Sequence, residues 1–186
     1  MPVAVRVAVV GHVEWLTFAR VPHVPAPGEI AQATESWEDV GGSGAVAAVQ
    51  LAKLAGQATF FTALGSDATG RRAAERLGEL GVTVHAPFRD VPQRRAWVHL
   101  DDAGERTITT IGERIVPHGD DDLPWEELDG VDAVYFTGGD VAALQNARRA
   151  RRLVATPRAY DTIAASRVDL DALVRSATDP CEQHAE

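Results

Sequence analysis

Val40-Gly41-Gly42-Ser43-Gly44-Ala45-Val46-Ala47-Ala48-Val49-Gln50-Leu51-Ala52 packs three glycines into four residues and then runs into an Ala/Val/Leu pattern. Glycine admits positive φ and lets another molecule come close to bare backbone. The pattern over Ala45–Leu54 is apolar on almost every side, which predicts a buried helix. Its first turn leaves N–H groups without intrahelical partners, at the positive end of the helix dipole. Such a junction receives an electron-rich oxygen, from a sugar hydroxyl or a phosphate. It is equally the form of a Gly-rich turn ahead of a core helix.

Two motif readings of this loop weaken on inspection. A Walker A loop requires Lys and then Ser/Thr after its last glycine, and here Ala45 and Val46 follow. The dinucleotide fingerprint G-x-G-x-x-A is met by Gly42, Gly44 and Ala47, but it opens directly after an apolar first strand. Here the preceding residues, Glu35-Ser36-Trp37-Glu38-Asp39, are polar and an earlier apolar run exists. A dinucleotide-binding oxidoreductase therefore stands as the weaker alternative.

The 186 residues suit a single α/β domain, 1–186, with room for a sizeable core. The net charge of −9 argues against a nucleic-acid surface, where a basic stripe is expected. One cysteine, Cys181, cannot form an intrachain disulfide and fits a reducing, cytoplasmic setting. The histidines have no zinc-ligand spacing, and no apolar run has the length of a membrane span.

Val3–Val10 is a short apolar, β-branched run that predicts a buried strand. Residues 11–29, with Pro22, Pro25 and Pro27, predict loop or edge strand. Ala31–Trp37 predicts an exposed strand, Thr59–Leu64 a core strand, and Thr69–Leu80 a helix capped by Ser66-Asp67 and stopped by Gly81. Val82–Ala86 is a short strand. Arg94–Leu100 and Arg106–Ile111 flank Asp101-Asp102-Ala103-Gly104 as a hairpin. Asp120–Asp122 reads as a solvated acidic loop and Trp125–Leu128 as a short helix. Ala133–Thr137 is a third core strand, followed by a helix over Val141–Arg152 whose terminal arginines suit the dipole. Leu153–Ala155, a turn over Asp161–Ala165 and a strand over Leu170–Val174 complete the chain. The alternation predicts a doubly wound, mostly parallel sheet. The strands at about 29–40 and 94–112 fall outside it, as a small projecting β-element.

That architecture and loop resemble the ribokinase-like (PfkB) carbohydrate kinase family. Gly41, Gly42, Gly44, Ala48 and Gly65 fall in the register of its first signature. Pro27-Gly28-Glu29, Gly65-Ser66-Asp67-Ala68-Thr69-Gly70, Gly81-Val82 and Gly104-Glu105-Arg106 resemble further family motifs in the same order, over about residues 3–180. The resemblance makes the projecting strands a lid. It implies ATP- and magnesium-dependent phosphoryl transfer to a hydroxyl of a sugar or nucleoside. A sheet lacking the family's later strands would leave an edge and an apolar helix face uncovered, so a homodimer, or a chain unstable alone, is expected, with the dimer through the lid strands, where Trp37 and Trp97 fall.

The departures from the family pattern are specific. Val46 occupies the place of an Asn that binds a sugar hydroxyl. Leu16 stands where an early sugar-binding Asp is expected, with Glu14 the nearest acid, and Ala55 replaces a signature glycine. Ser176-x-x-Asp179 aligns with the Asn-x-x-Glu motif that organises magnesium and phosphate. The Gly-Ala-Gly-Asp segment that supplies the anion hole and the base is not found in these residues. The expectation is thus a C-terminally incomplete kinase fold, inactive alone. A non-catalytic small-molecule binding or dimerisation module is the alternative. The expected substrate-binding residues are Gly41, Gly42, Gly44, Val46, Glu14 and Asp140, with Ser176 and Asp179 on the phosphate and magnesium side. No residue of the chain is assigned as catalytic or as a resident metal ligand. His12 reads as an ordinary loop-edge histidine.

Overall fold

The structure is a computed structural model describing residues 5–179 and residue 182; Cys181 and the first two residues of the expected Val3–Val10 strand lie outside it. The strands in chain order are β1 (Val7–Val10), β2 (Glu14–Arg20), β3 (Glu35–Gly41), β4 (Ala58–Phe61), β5 (Leu64–Gly65), β6 (Val82–His85), β7 (Phe88–Arg89), β8 (Arg95–Leu100), β9 (Arg106–Ile111), β10 (Ala133–Phe136), β11 (Leu153–Ala155) and β12 (Ala172–Leu173). The helices are α1 (Ser43–Ala55), α2 (Ala68–Glu79), α3 (Val141–Ala147) and α4 (Tyr160–Ser166), with a 3-10 turn at Trp125–Leu128.

Six strands pair in parallel in the order β12-β11-β10-β1-β4-β6. Side-chain alternation divides the core between the two faces. Ala8, Val10, Phe61, Val134 and Phe136 pack with Leu144 of α3 and Leu128 of the 3-10 turn. Val9 and Phe60 pack the other way, against Ala45 and Val49 of α1 and Leu77 of α2. Phe60, Phe61 and Phe136 are fully buried, each worth about 1.5–3 kcal/mol relative to exposure. On the α1 side of β10 and β11 this cover stops. Leu51, Ala133, Tyr135, Val154 and Val174 line an apolar groove of about 400 Å³ there.

The projecting element is a sheet of four strands, β3-β2-β8-β9. Residues 14–20, expected as loop or edge, form one of its two inner strands: β2 pairs antiparallel with β3 and parallel with β8 over their lengths. The prolines follow the strand rather than interrupt it, and Val21 N–H still bonds to Leu100 C=O. Its partner β3 begins at Glu35 rather than Ala31, because the register Arg20↔Glu35 to Glu14↔Gly41 sets both ends. β3 therefore delivers the chain directly into Gly42 and α1.

Two further expectations are corrected. The helix from Val141 ends at Ala147 rather than Arg152, since the chain must turn back to start β11 at Leu153. The arginines after it pair with carboxylates: Arg148 and Arg152 with Asp171, Arg149 with Asp129, Arg151 with Asp132. Nor is the acidic loop wholly solvated. The Asp121 carboxylate is nearly buried, 2.8 Å from Arg89, and accepts the His118 N–H at 2.7 Å.

Helix α1 is seated by a missing side chain. A Cβ on Gly44 would stand 2.7 Å from His12 O, 2.9 Å from His12 N and 2.9 Å from Phe60 Cε2. Gly78, inside α2, has nothing within 4 Å of that position. Urea titration of Gly44→Ala is expected to show a loss of about 1–3 kcal/mol from overpacking. Gly78→Ala is expected to gain up to about 1 kcal/mol from helix propensity.

Candidate functional site

From β1 the sheet grows one way through β4 and β6 and the other way through β10, β11 and β12. The reversal lies between β1 and β10, and ligands of open α/β sheets sit beyond the carboxyl ends of the strands at such a point. Those ends are Gly11-His12 and Thr137-Gly138. They approach so closely that a Cβ on Gly11 would meet Thr137 Oγ1 at 2.0 Å.

A cavity of about 420 Å³ lies between the start of α1 and the four-stranded sheet, walled by Glu14, Leu16, Gly42, Ser43, Val46, Ala47, Arg106, Ile108 and Tyr135. It brings together Glu14, Gly42 and Val46 of the expected substrate residues. Gly42 holds φ 83° as N-cap of α1, and no side chain caps the turn. The first helical bond is Val46 N–H to Gly42 C=O at 3.0 Å, so the N–H groups before it are left for a ligand or water. Gly41 does not line the cavity; the side chain of Leu16 covers it, with Cδ1 2.2 Å from where its Cβ would be. Gly44 is turned away, against the His12 backbone.

Glu14 is held against Arg94, Oε1 to Nε 2.7 Å, both side chains largely buried. The Nε–H is not aimed at the oxygen, so charge rather than an aligned hydrogen bond makes this contact. Removing either partner would leave a buried charge uncompensated. His12 lies in the loop between β1 and β2 but is not an ordinary exposed histidine: it is 5% exposed, and its Nδ1 has no hydrogen-bond partner among the described residues. Burial, reinforced by the positive charges of Arg114 and Arg94, lowers its pKa to about 3, so the ring is neutral. Its Nε2 stands 3.7 Å from Glu14 Oε1, too far for a hydrogen bond.

The remaining expected residues lie elsewhere. Asp140 caps α3: its Oδ1 accepts from Ala143 N at 2.7 Å and from Gly119 N at 2.9 Å. Its carboxylate, with His118 and Asp120, forms an exposed group whose donor atoms lie within 4.8 Å of one another. Ser176 and Asp179 follow β12, three strands from β1 at the sheet's edge. Ser176 N–H bonds to Glu182 Oε2 at 2.6 Å, and Asp179 pairs with Arg158, which also bonds to Glu182 Oε1 at 3.0 Å. With both carboxylates committed to one guanidinium, this segment does not fit a magnesium site as arranged.

Sequence reasoning missed Arg94, Arg106, Ile108 and Tyr135 as neighbours of the loop. Arg94 immediately precedes β8 and Arg106 opens β9, but which body residues the hairpin faces is a long-range fact. The fingerprint reading fails on topology: its glycines follow β3, an edge strand of the four-stranded sheet, rather than the first strand of the parallel one.

A parallel sheet whose reversal point is roofed by a four-stranded lid, with a glycine loop feeding the adjacent helix, defines an α/β protein of the ribokinase-like fold. Residues 5–178 match the pfkB family carbohydrate kinase, and the chain belongs to that family. A ribokinase of Dictyostelium discoideum is 30% identical over 109 residues, covering 58% of this chain and 34% of that protein. A fructokinase of Vibrio alginolyticus is 34% identical over 90 residues, covering 47% of this chain and 28% of that protein. The structure of Arabidopsis thaliana ribokinase complexed with ribose and ATP is similar with a TM-score of 0.65 at 22% identity, covering 93% of this chain and 60% of that one. The chain thus spans about a third of the curated relatives it matches and three fifths of that structure. Among the described residues no helix is long and apolar enough to cross a membrane.

The neutral His12 makes a pH prediction. A His pKa of about 3 in the fold, against about 6.5 unfolded, means that the unfolded chain binds the extra proton between those values. Stability is therefore complete above about pH 6.5 and falls as the pH drops towards 3, by up to about 1.4 kcal/mol per unit. Urea midpoints measured from pH 7 to pH 4 are expected to follow this slope, and His12→Gln is expected to flatten it.

Proposed function

We propose that this chain is the acceptor half of a carbohydrate kinase that transfers the γ-phosphoryl group of ATP to a hydroxyl of a sugar or nucleoside-like alcohol. The observation that carries the reading is the cavity at the uncapped start of α1, set at the sheet's reversal point and roofed by the lid. Backbone N–H groups at Gly42 and Ser43 suit an acceptor oxygen, and the Glu14 carboxylate suits a hydroxyl donor. Lid strands β2 and β9 supply Leu16 and Ile108 as a wall that excludes water, which strengthens every polar contact inside.

Phosphoryl transfer is mainly positioning and charge stabilisation around the moving group. Among these 186 residues the acceptor is provided for. The Gly-Ala-Gly-Asp segment is not among them, and no step is assigned to Ser176 or Asp179, whose segment is engaged with Arg158. The reading for this polypeptide is acceptor binding without turnover. In a coupled ADP-release assay over sugars and nucleosides it is expected to stay at the buffer rate, and turnover well above it would refute the assignment. In thermal shift, an acceptor at a hundred times its Kd is expected to add about 2.7 kcal/mol; no shift with any member of the panel would remove the pocket's role.

The lid is also proposed to mediate self-association in the cytoplasm. Trp97 of β8 and Ile111 of β9 are each nearly half exposed. By register they lie on the face turned away from Leu16 and Ile108. Sedimentation is expected to give a dimer that Trp97→Glu converts to monomer; a wild-type monomer at micromolar concentration would exclude this interface.

A further inference from the structure

Glu14 is fixed at three points by Gln93 and Arg94, the two residues that precede β8. The side-chain amide of Gln93 donates to Val13 O at 2.9 Å, and Trp15 N–H donates to Arg94 O at 3.0 Å. These two bonds pin the backbone on either side of Glu14, and neither uses the Arg94 side chain. The third point is the carboxylate itself, with Oε1 2.7 Å from Arg94 Nε and the two side chains 10% and 14% exposed. The Nε–H has no aligned acceptor, so charge rather than a directional bond holds the carboxylate. Glu14 lines the cavity at the start of α1, and Arg94 does not.

The other groups around Glu14 do not duplicate that charge. His12 Nε2 stands 3.7 Å from the same oxygen, and burial keeps its ring neutral. Arg106 reaches the cavity from β9, whose residues are all exposed. Arg114, whose charge is felt at His12, is exposed as well. Solvent and salt screen both of these.

We propose that Arg94 is a positioning residue of the acceptor site: it holds Glu14 as a charged, stationary carboxylate to which a ligand hydroxyl donates, without itself touching the ligand. Hydrogen bonds to a charged acceptor are roughly twice as strong as neutral ones. A side chain already held in place also loses little freedom when the ligand arrives. The inference rests on the acceptor reading of the cavity given above and adds a residue which that reading does not use.

The test is calorimetric titration of the whole 186-residue chain with D-ribose and with D-fructose, the tighter of the two serving as the probe. Glu14→Gln and Arg94→Met are each expected to weaken binding about tenfold or more, the scale of one hydrogen bond to a charged group. Arg94→Lys is expected to stay within about threefold of the wild type, because the contact uses charge and not the fork of the guanidinium. The Glu14→Gln/Arg94→Met double variant is expected to bind no more weakly than Glu14→Gln alone, as it must if Arg94 acts only through Glu14. Far-UV dichroism and the melting temperature report whether each variant is folded. Arg94→Met leaves a buried carboxylate uncompensated; should it unfold, Arg94→Lys and the double variant, in which the charges balance, carry the test. Wild-type affinity in folded Glu14→Gln or Arg94→Met would overturn this inference and leave the acceptor reading standing. So would binding by folded Arg94→Lys as weak as by Glu14→Gln, or a further loss of about tenfold in the double variant over Glu14→Gln. Failure of both sugars to bind the wild-type chain at millimolar concentration would overturn the acceptor reading and this inference with it.

Discussion

The contact between Gly44 and the backbone of His12 is the constraint on which the rest depends. Only hydrogen fits between the first turn of α1 and the residue that leaves β1, with the ring of Phe60 closing the third side. That approach fixes the amino end of α1 at the sheet's reversal point and aims its unpaired N–H groups along the carboxyl ends of the strands. It also explains why Ala48 and Ala45 are small and buried on the same helix. Gly42, two residues earlier, serves a different end: its positive φ turns the backbone out of the lid and into the helix. Three neighbouring glycines thus do separate jobs, and the one on the cavity wall is not the one that sets the packing.

A second clip ties the lid to the body without touching the cavity. Gln93 is buried; its side-chain amide donates to Val13 O at 2.9 Å, and its oxygen accepts from Gly65 N at 3.0 Å. Its backbone N–H bonds to Asp67 Oδ2, while Asp67 Oδ1 caps α2 at Gly70 N. Gly65 and Gly70 leave no space for side chains, since a Cβ on Gly70 would meet Gly65 O at 2.0 Å. The Gly65-Ser66-Asp67 run that helps mark the family is therefore architectural in this chain. It fixes where β8 begins, and so where Arg94 reaches Glu14. The exposed lashings between lid and α2, Arg72 to Glu38 and Arg76 to Asp39, contribute less, because solvent screens such pairs.

Much of the parallel sheet was legible because its strands are short apolar runs that each feed a turn signal. Val9 and Val10, and Phe60 and Phe61, divide between the two faces, and Val134 and Phe136 share one, as period-two alternation requires. The lid was only half legible. Glu14–Arg20 mixes charge, aromatic and aliphatic residues ahead of three prolines, and nothing local distinguishes an inner strand from a loop. Its identity comes from β3 and β8, which lie 15 and 75 residues away, counted from Arg20 to Glu35 and to Arg95. The site follows the same division. Gly42 was legible from the loop itself and Val46 from the resemblance, and both line the cavity. Asp140 turned out to be a cap, a role that a carboxylate just before a helix fills from local geometry alone. The pairing of Glu14 depends on Arg94, and no spacing rule reaches that far.

The chain crosses between body and lid around residues 11–13, 41–42, 93–94 and 112–115, and the first two crossings frame the start of α1. Rotation of the four-stranded sheet about them must change the φ and ψ angles of the same residues that shape the cavity wall. On the proposed acceptor reading, ligand occupancy and lid angle would form one coupled equilibrium. A molecule that binds better to one angle shifts the population towards it by its difference in affinity, with no separate trigger.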